Sequence, residues 1–333
     1  MTSRPLTYAG FALAAASACA LALFPDQLGR PIVSALHALA GAERWWLLGA
    51  SAGFVLAFAC SVGAWRSALA AAGGRIGNRQ AAARLGIGAL VNAAAPAKLG
   101  EPVKLALCGR AVESEHKLRT LGGAYAALTA ARSLALVALV VAASATGALP
   151  LWPAFGLLGV VAAVALLVAT SRRVRSHGRV AGVLGGLAEL GRSPLRLASV
   201  VLWMLGTVSA QLAGTVAVAA ALGLPHPAMA ALVILPALEL ASAFPVTPGG
   251  IGIGSGAVAV ALASRGIGMS EALGVGFALQ GVQTLVSVCA GSLGAVYLLQ
   301  PGAAARRWLV RGATVGAAAA LAAALGMLVV QAV

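Results

Sequence analysis

The chain has 333 residues, 61% of them hydrophobic and only 9% charged, with a mean hydropathy of +0.96. A soluble domain carries about a quarter charged residues, so this composition excludes one and requires an integral membrane protein. The net charge of +15 raises nucleic acid as a partner; the basic residues, however, sit between apolar runs, where orientation by cytoplasmic Lys and Arg accounts for them, and no nucleic-acid partner is expected.

Taken in chain order, the apolar runs predict spans at 6–24, 45–70, 120–146, 151–170, 198–222, 272–299 and 309–331. Each is close to or above the roughly 20 residues that a helix needs to cross the hydrocarbon. The first follows Arg4 as a signal peptide would, but it is long and lacks a small-residue cleavage site, so it reads as a span. Aromatics at 5% and 42 glycines suit helices packed through small residues rather than a barrel with aromatic girdles. The expected fold is all-α, a single membrane domain over 1–333.

Two further apolar regions are broken. About 80–108 is interrupted by Pro96, Gly100 and Pro102, and about 228–264 by Pro245, Pro248, Gly249 and Gly250. So heavy a break leaves backbone groups unpaired in lipid, which is tolerated only where it is buried in protein or lines a watery cavity. Both regions are therefore expected to be re-entrant helical hairpins, added to the seven spans.

Charge tests this arrangement, since a hairpin returns to the side it left. With the N-terminus inside, every Lys and Arg is cytoplasmic except Arg30, Arg44 and Arg265 outside, and Lys98 and Arg132 at membrane depth. The expected location is the plasma membrane, with a cytoplasmic N-terminus and an outside C-terminus. The same topology gives an internal repeat, span–hairpin–span, at 45–146 and again, inverted, at 198–299. Oppositely directed broken helices that meet near the midplane are the architecture of secondary transporters.

Three groups of residues carry the candidate chemistry. In the first hairpin, Asn92, Lys98, Glu101 and Lys104 bring polar and charged groups to a turn in which Lys98 and Glu101 are spaced to pair. They form either a cationic floor for an anionic head group or a salt bridge that fixes the turn. In the second, Glu239 lies at apolar depth, and Gly249, Gly250 and Gly252 precede a half-helix whose free N–H groups favour phosphate or carboxylate. Its resemblance to a dinucleotide fingerprint is superficial, because no strand precedes it. Arg132 falls near the centre of 120–146, where a charge costs about 2.5–3.5 kcal/mol on insertion scales. It requires a partner, Glu101 or Glu239, and acts either as an anion-binding arginine or as half of an ion pair locking helices. Gln211, Gln280 and Gln283 on flanking spans extend a polar pathway or make interhelical hydrogen bonds.

Catalytic constellations are missing. The four histidines (His37, His116, His177, His226) fall at loops or span edges without metal-type spacing, and no Walker-type loop occurs. Cys19, Cys60, Cys108 and Cys289 are scattered and read as small buried hydrophobes. No cofactor, no metal and no enzymatic activity are expected.

The two hairpins resemble the flippase-like membrane family typified by the transmembrane region of lysylphosphatidylglycerol synthase, the multiple peptide resistance factor. An Asn-x-x-x-Pro-x-x-x-Gly-Glu-x-x-Arg segment is matched by Asn92, Pro96, Gly100 and Glu101, with Lys104 in the arginine position; a Pro-x-x-Pro-Gly-Gly-x-Gly segment is matched by Pro245, Pro248, Gly249, Gly250 and Gly252. Where the family commonly has a glutamate shortly after the last glycine, this chain has Ser255. The lysine at 104 keeps the charge but loses the guanidinium fork. The resemblance implies movement of a lipid or lipid-linked head group between leaflets, with no lipid aminoacylation by this chain and any transferase being a separate protein. A coupled small-solute transporter and a non-transporting membrane partner of a lipid-modifying or glycosyl-transferring enzyme are the alternatives; composition is silent on oligomeric state.

Overall fold

Long Ala-, Leu- and Gly-rich runs that cannot leave backbone polar groups unpaired in lipid coil into helices, and the computed structural model describes these over residues 41–94, 99–112, 117–149, 159, 194–242 and 252–298. In chain order they are α1 (Arg44–Ala71), α2 (Asn78–Ala94), α3 (Gly100–Ala111), α4 (Lys117–Ala145), α5 (Pro194–Ala221), α6 (Pro227–Ala241), α7 (Ile253–Ala263) and α8 (Met269–Leu298). Among the described residues there is no strand. The expected spans 6–24 and 309–331 lie outside the described residues, as does 151–170 apart from Gly159.

Among the described residues, four helices are long and apolar enough to cross a membrane: Arg44–Ala71, Thr120–Ala145, Pro194–Ala221 and Met269–Leu298. They coincide with four expected spans. The remaining four are short. At 1.5 Å per residue, the 17 residues of α2 and 12 of α3 reach about 25 and 18 Å, and the 15 of α6 and 11 of α7 about 22 and 16 Å. Each falls short of the roughly 30 Å hydrocarbon layer. The order long, short, short, long therefore occurs twice.

The molecule is centred on α1 and α5, which run antiparallel. The Glu43 N–H at the start of α1 donates to the Ala221 carbonyl at the end of α5 (3.4 Å), and the Arg196 guanidinium at the start of α5 donates to the Ala70 carbonyl at the end of α1 (2.9 Å). Midway, Gly53 faces Gly214, and a Cβ on Gly53 would lie 2.8 Å from the Gly214 backbone. This approach, closer than any side chain permits, is how helices associate where lipid supplies no hydrophobic driving force.

Two apolar clusters flank this pair. One joins Trp65 and Leu69 of α1 with Leu85, Cys108, Leu128 and Val200; the other joins Phe54 with Val218, Ile234, Leu262 and Leu279. The segments leading into and out of α2–α3 meet, since a Cβ on Gly74 would touch Val112 at 2.8 Å. Trp45 and Trp46 stand exposed at the start of α1 and Tyr297 near the end of α8, where amphipathic rings anchor helices at the membrane–water boundary. Cys60 and Cys108 are buried as expected; Cys289 is exposed on α8, which corrects the reading of all four cysteines as buried hydrophobes. Cys19 lies outside the described residues.

Candidate functional site

The turn between α2 and α3 is held by the asparagine and glycine of the first motif. Asn92 Oδ1 accepts a hydrogen bond of 2.7 Å from the Gly100 N–H, satisfying one of the donors that the start of α3 leaves open. Gly100 is buried, and a Cβ there would run into the Gly88 carbonyl oxygen and the Asn92 side chain. Pro102 follows in the first turn of α3, where a missing N–H costs the helix nothing. The segment thus reads as a joint: an acceptor, a residue without side chain, and a proline that starts the next helix.

Just past this joint, Lys104 Nζ donates to Glu101 Oε1 at 2.8 Å, one turn back on α3. The same ammonium lies 5.7 Å from the ring centroid of buried Trp65 on α1, a cation–π contact that offsets part of its desolvation. Trp65 in turn stacks at a tilt on Tyr125 of α4, with centroids 6.3 Å apart. Glu101 therefore has Lys104 as its partner; Lys98, the residue expected to pair with it, lies outside the described residues.

At the centre of α4, Arg132 Nη2 donates to Glu239 Oε1 of α6 at 2.5 Å. Of the two acids that sequence offered, Glu239 makes the direct bond, while Glu101 and Tyr125 lie within electrostatic range of the guanidinium. Glu239 comes two residues before the end of α6 and Glu101 at the second residue of α3, so one helix end beside each break contributes an acid near the middle of one spanning helix. The pair is not sealed: the Arg132 side chain is 46% exposed and that of Glu239 15%. A guanidinium has five N–H donors, and several remain available.

Arg132 continues a polar stripe. Tyr125, Thr129 and Arg132 are spaced i, i+4, i+7, which places them on one face of α4 over about 10 Å, and all three are exposed. Tyr125, Thr129 and Trp65 were not among the residues singled out from sequence. The stripe had a signal in its helical spacing; Trp65 had none, because a tryptophan in an apolar run reads as core.

The second broken region resumes at α7, whose N-cap is Gly252 with φ of 109°, a conformation that side chains rarely adopt. Ser255 Oγ, 3.1 Å from both the N–H and the carbonyl oxygen of Gly252, closes this turn, and the serine is fully buried. The hydroxyl in the place of the family's glutamate is thus occupied in building the helix start. Buried Gln280 of α8 packs beside Gly254, whereas Gln211 and Gln283 are half-buried. The described contacts do not join Gly252 to Arg132, and Gly249 and Gly250 lie outside the described residues. No group of three or more His, Cys, Asp or Glu able to hold a metal occurs among the described residues.

These features define a multi-pass α-helical membrane protein with charged and polar side chains gathered at the depth of its broken helices. The chain belongs to the family of the lysylphosphatidylglycerol synthase transmembrane region, whose family model matches residues 8–291. Comparison with curated proteins and with solved structures finds no match. Membership ties the protein to membranes and to lipid modification or translocation.

Proposed function

We propose that the protein moves a lipid or lipid-linked head group between leaflets without covalent catalysis. The observation that carries this reading is the open Arg132–Glu239 pair at the middle of α4, with Glu101 at the start of α3 within electrostatic range. A pair serving only to lock helices gains from being sealed, because water competes for its charges; this one leaves nearly half of the arginine uncovered.

In this reading α2–α3 and α6–α7 are re-entrant hairpins and the two four-helix sets form an inverted repeat. The short lengths of those helices, the meeting of Gly74 with Val112 and the antiparallel α1–α5 pair support it. An anionic or zwitterionic head group leaves the leaflet near Lys104 and Glu101, follows Tyr125 and Thr129, and exchanges with Glu239 for Arg132 while its tails stay in lipid. Asn92 holds the joint in place, Lys98, Gly249 and Gly250 are assigned to head-group contact from the sequence motifs alone, and the N–H groups beyond Gly252 receive the phosphate from the far side. The family commonly has an arginine where Lys104 stands; the ammonium keeps the charge without bidentate grip.

The test is scrambling of head-group-labelled lipids by the purified protein in liposomes, comparing phosphatidylglycerol, its aminoacylated form and a polyprenyl phosphate. Head-group-dependent flipping that falls at least tenfold in Arg132→Ala is the expected result. Absence of flipping of every lipid by folded protein rejects translocation and leaves solute transport, read out as uptake without a lipid requirement, or partnership with a separate transferase, read out by co-purification.

A further inference from the structure

A polar cavity lies at the corner where α1 ends and α5 begins. It measures about 340 Å³ and is lined by Ser67, Arg75, Arg196 and Ser199 together with the glycine turn at Gly73 and Gly74. No carboxylate lines it among the described residues. From these groups we infer that this corner binds the phosphodiester of an anionic phospholipid as a site separate from the translocation path.

Three observations carry the inference. The first is the chemistry of the lining. Arg196 spends one N–H on the Ala70 carbonyl, which neutralises the negative end of α1 and holds the guanidinium in place. Its other donors and the whole of Arg75 remain for a ligand. Ser67 and Ser199 face each other across the helix pair at 3.1 Å. Two hydroxyls sharing one hydrogen bond leave one O–H uncommitted, whereas Thr207, Thr215 and Ser287 turn back onto their own helices.

The second is a contrast within the molecule. The corresponding corner at the other end, where α5 ends and α1 begins, closes through the main-chain bond from Glu43 to Ala221. There the chain supplies an acid and a backbone donor where the first corner has a guanidinium. The fold alone therefore does not require the arginine, and a loop that merely fixed orientation would not need its guanidinium pinned to a helix end.

The third observation selects a lipid over a soluble phosphate. Leu195, Ser199 and Leu202 are spaced i, i+4, i+7 on one face of α5, and Leu195 and Leu202 are 84% and 71% exposed. An apolar strip thus leads from the cavity along the helix. A phosphodiester seated at Arg196 and Ser199 would lay its acyl chains against Leu202, so the polar and apolar parts of the site match one amphiphile.

The experiment is native mass spectrometry of the full-length protein titrated with phosphatidylglycerol, with phosphatidylcholine of the same chains, and with glycerol 3-phosphate as the soluble arm. Arg75→Gln and Arg196→Gln are each expected to weaken retention of phosphatidylglycerol about tenfold, and Ser199→Ala severalfold. One lipid should persist on Arg132→Ala and be lost from the Arg75/Arg196 pair of substitutions. Arg196→Gln also removes a helix-end bond, so Arg75→Gln, which touches none of the described bonds, keeps the test open should Arg196→Gln fail to fold. Equal retention of the two phospholipids, retention indifferent to Arg75→Gln, or glycerol 3-phosphate binding as tightly as the lipid would overturn the inference. Because the readout is retention rather than flipping, its failure is distinct from failure of the proposed transport.

Discussion

Gly100 shows what one residue decides in this protein. Its N–H is tied to Asn92, and the space where a Cβ would stand is filled by the Gly88 carbonyl and the Asn92 side chain. Backbone cannot give way as the end of a long side chain can, so Gly100→Ala forces α2 and α3 apart. We expect it to destabilise the folded protein by about 1–3 kcal/mol, in the range of overpacking substitutions. Gly281→Ala on α8 meets nothing within 4 Å and removes a poor helix former, so it is expected to be neutral or slightly stabilising. Thermal unfolding of both variants in detergent checks the contrast, and equal midpoints would show that the joint is looser than its geometry. The position of Gly100 beside Asn92 and Pro96 was legible in the sequence as a break. That the asparagine is the acceptor for the glycine was not, because a hydrogen bond across eight residues depends on how the turn closes.

At the scale of elements, a charge pair joins α4 to α6. Arg132 and Glu239 are separated by 107 residues, and no spacing rule reaches that far. The sequence required a partner for Arg132 and could offer two, and only the packing of α6 against α4 chose between them. Substitution of the pair tells apart the two roles left open for it. Arg132→Met or Glu239→Leu alone strands a charge in apolar surroundings and is expected to cost about 1–3 kcal/mol, below the 3–5 kcal/mol of a sealed pair because nearly half of the arginine is uncovered by protein. The double variant removes both charges and should recover most of that loss. Transport should not recover with it. A double-mutant cycle in unfolding midpoint, run beside the scrambling assay, reads both quantities, and restored flipping in the double variant would reduce the pair to a helix lock. Glu101 and Lys104 behave differently, being one turn apart on α3, and here local spacing was enough to expect a charge pair at the turn; Lys98, the expected partner, lies outside the described residues.

For the whole molecule, the distribution of charge and the lengths of the helices make one prediction together. If α2–α3 and α6–α7 each return to the side they left, Gly77 and Arg110 face one compartment and Pro225 and Gly268 the other. All four suit single-cysteine labelling. Gly77 and Gly268 have open space around them, and Arg110 and Pro225 are exposed. In a background with Cys19, Cys60, Cys108 and Cys289 replaced, a membrane-impermeant maleimide applied to intact cells should label Pro225→Cys and Gly268→Cys and leave Gly77→Cys and Arg110→Cys untouched until the membrane is opened. Arg66, Arg75, Arg79, Arg84, Arg110 and Arg196 would then share the cytoplasmic side. Were α2–α3 one crossing, Gly77 and Arg110 would label from opposite sides, and every basic loop beyond them would be reversed. Long spans were legible because about 20 apolar residues have few other uses, and the breaks because proline and glycine cannot hide in lipid. The side to which each short helix returns depends on contacts such as Gly74 with Val112, which hydropathy does not encode. Labelling of Gly77→Cys and Arg110→Cys from one side, and of Pro225→Cys and Gly268→Cys from the other, would thus show that each broken region returns to the side it left, the arrangement in which a head group in transit meets charge at Arg132 part-way across the membrane.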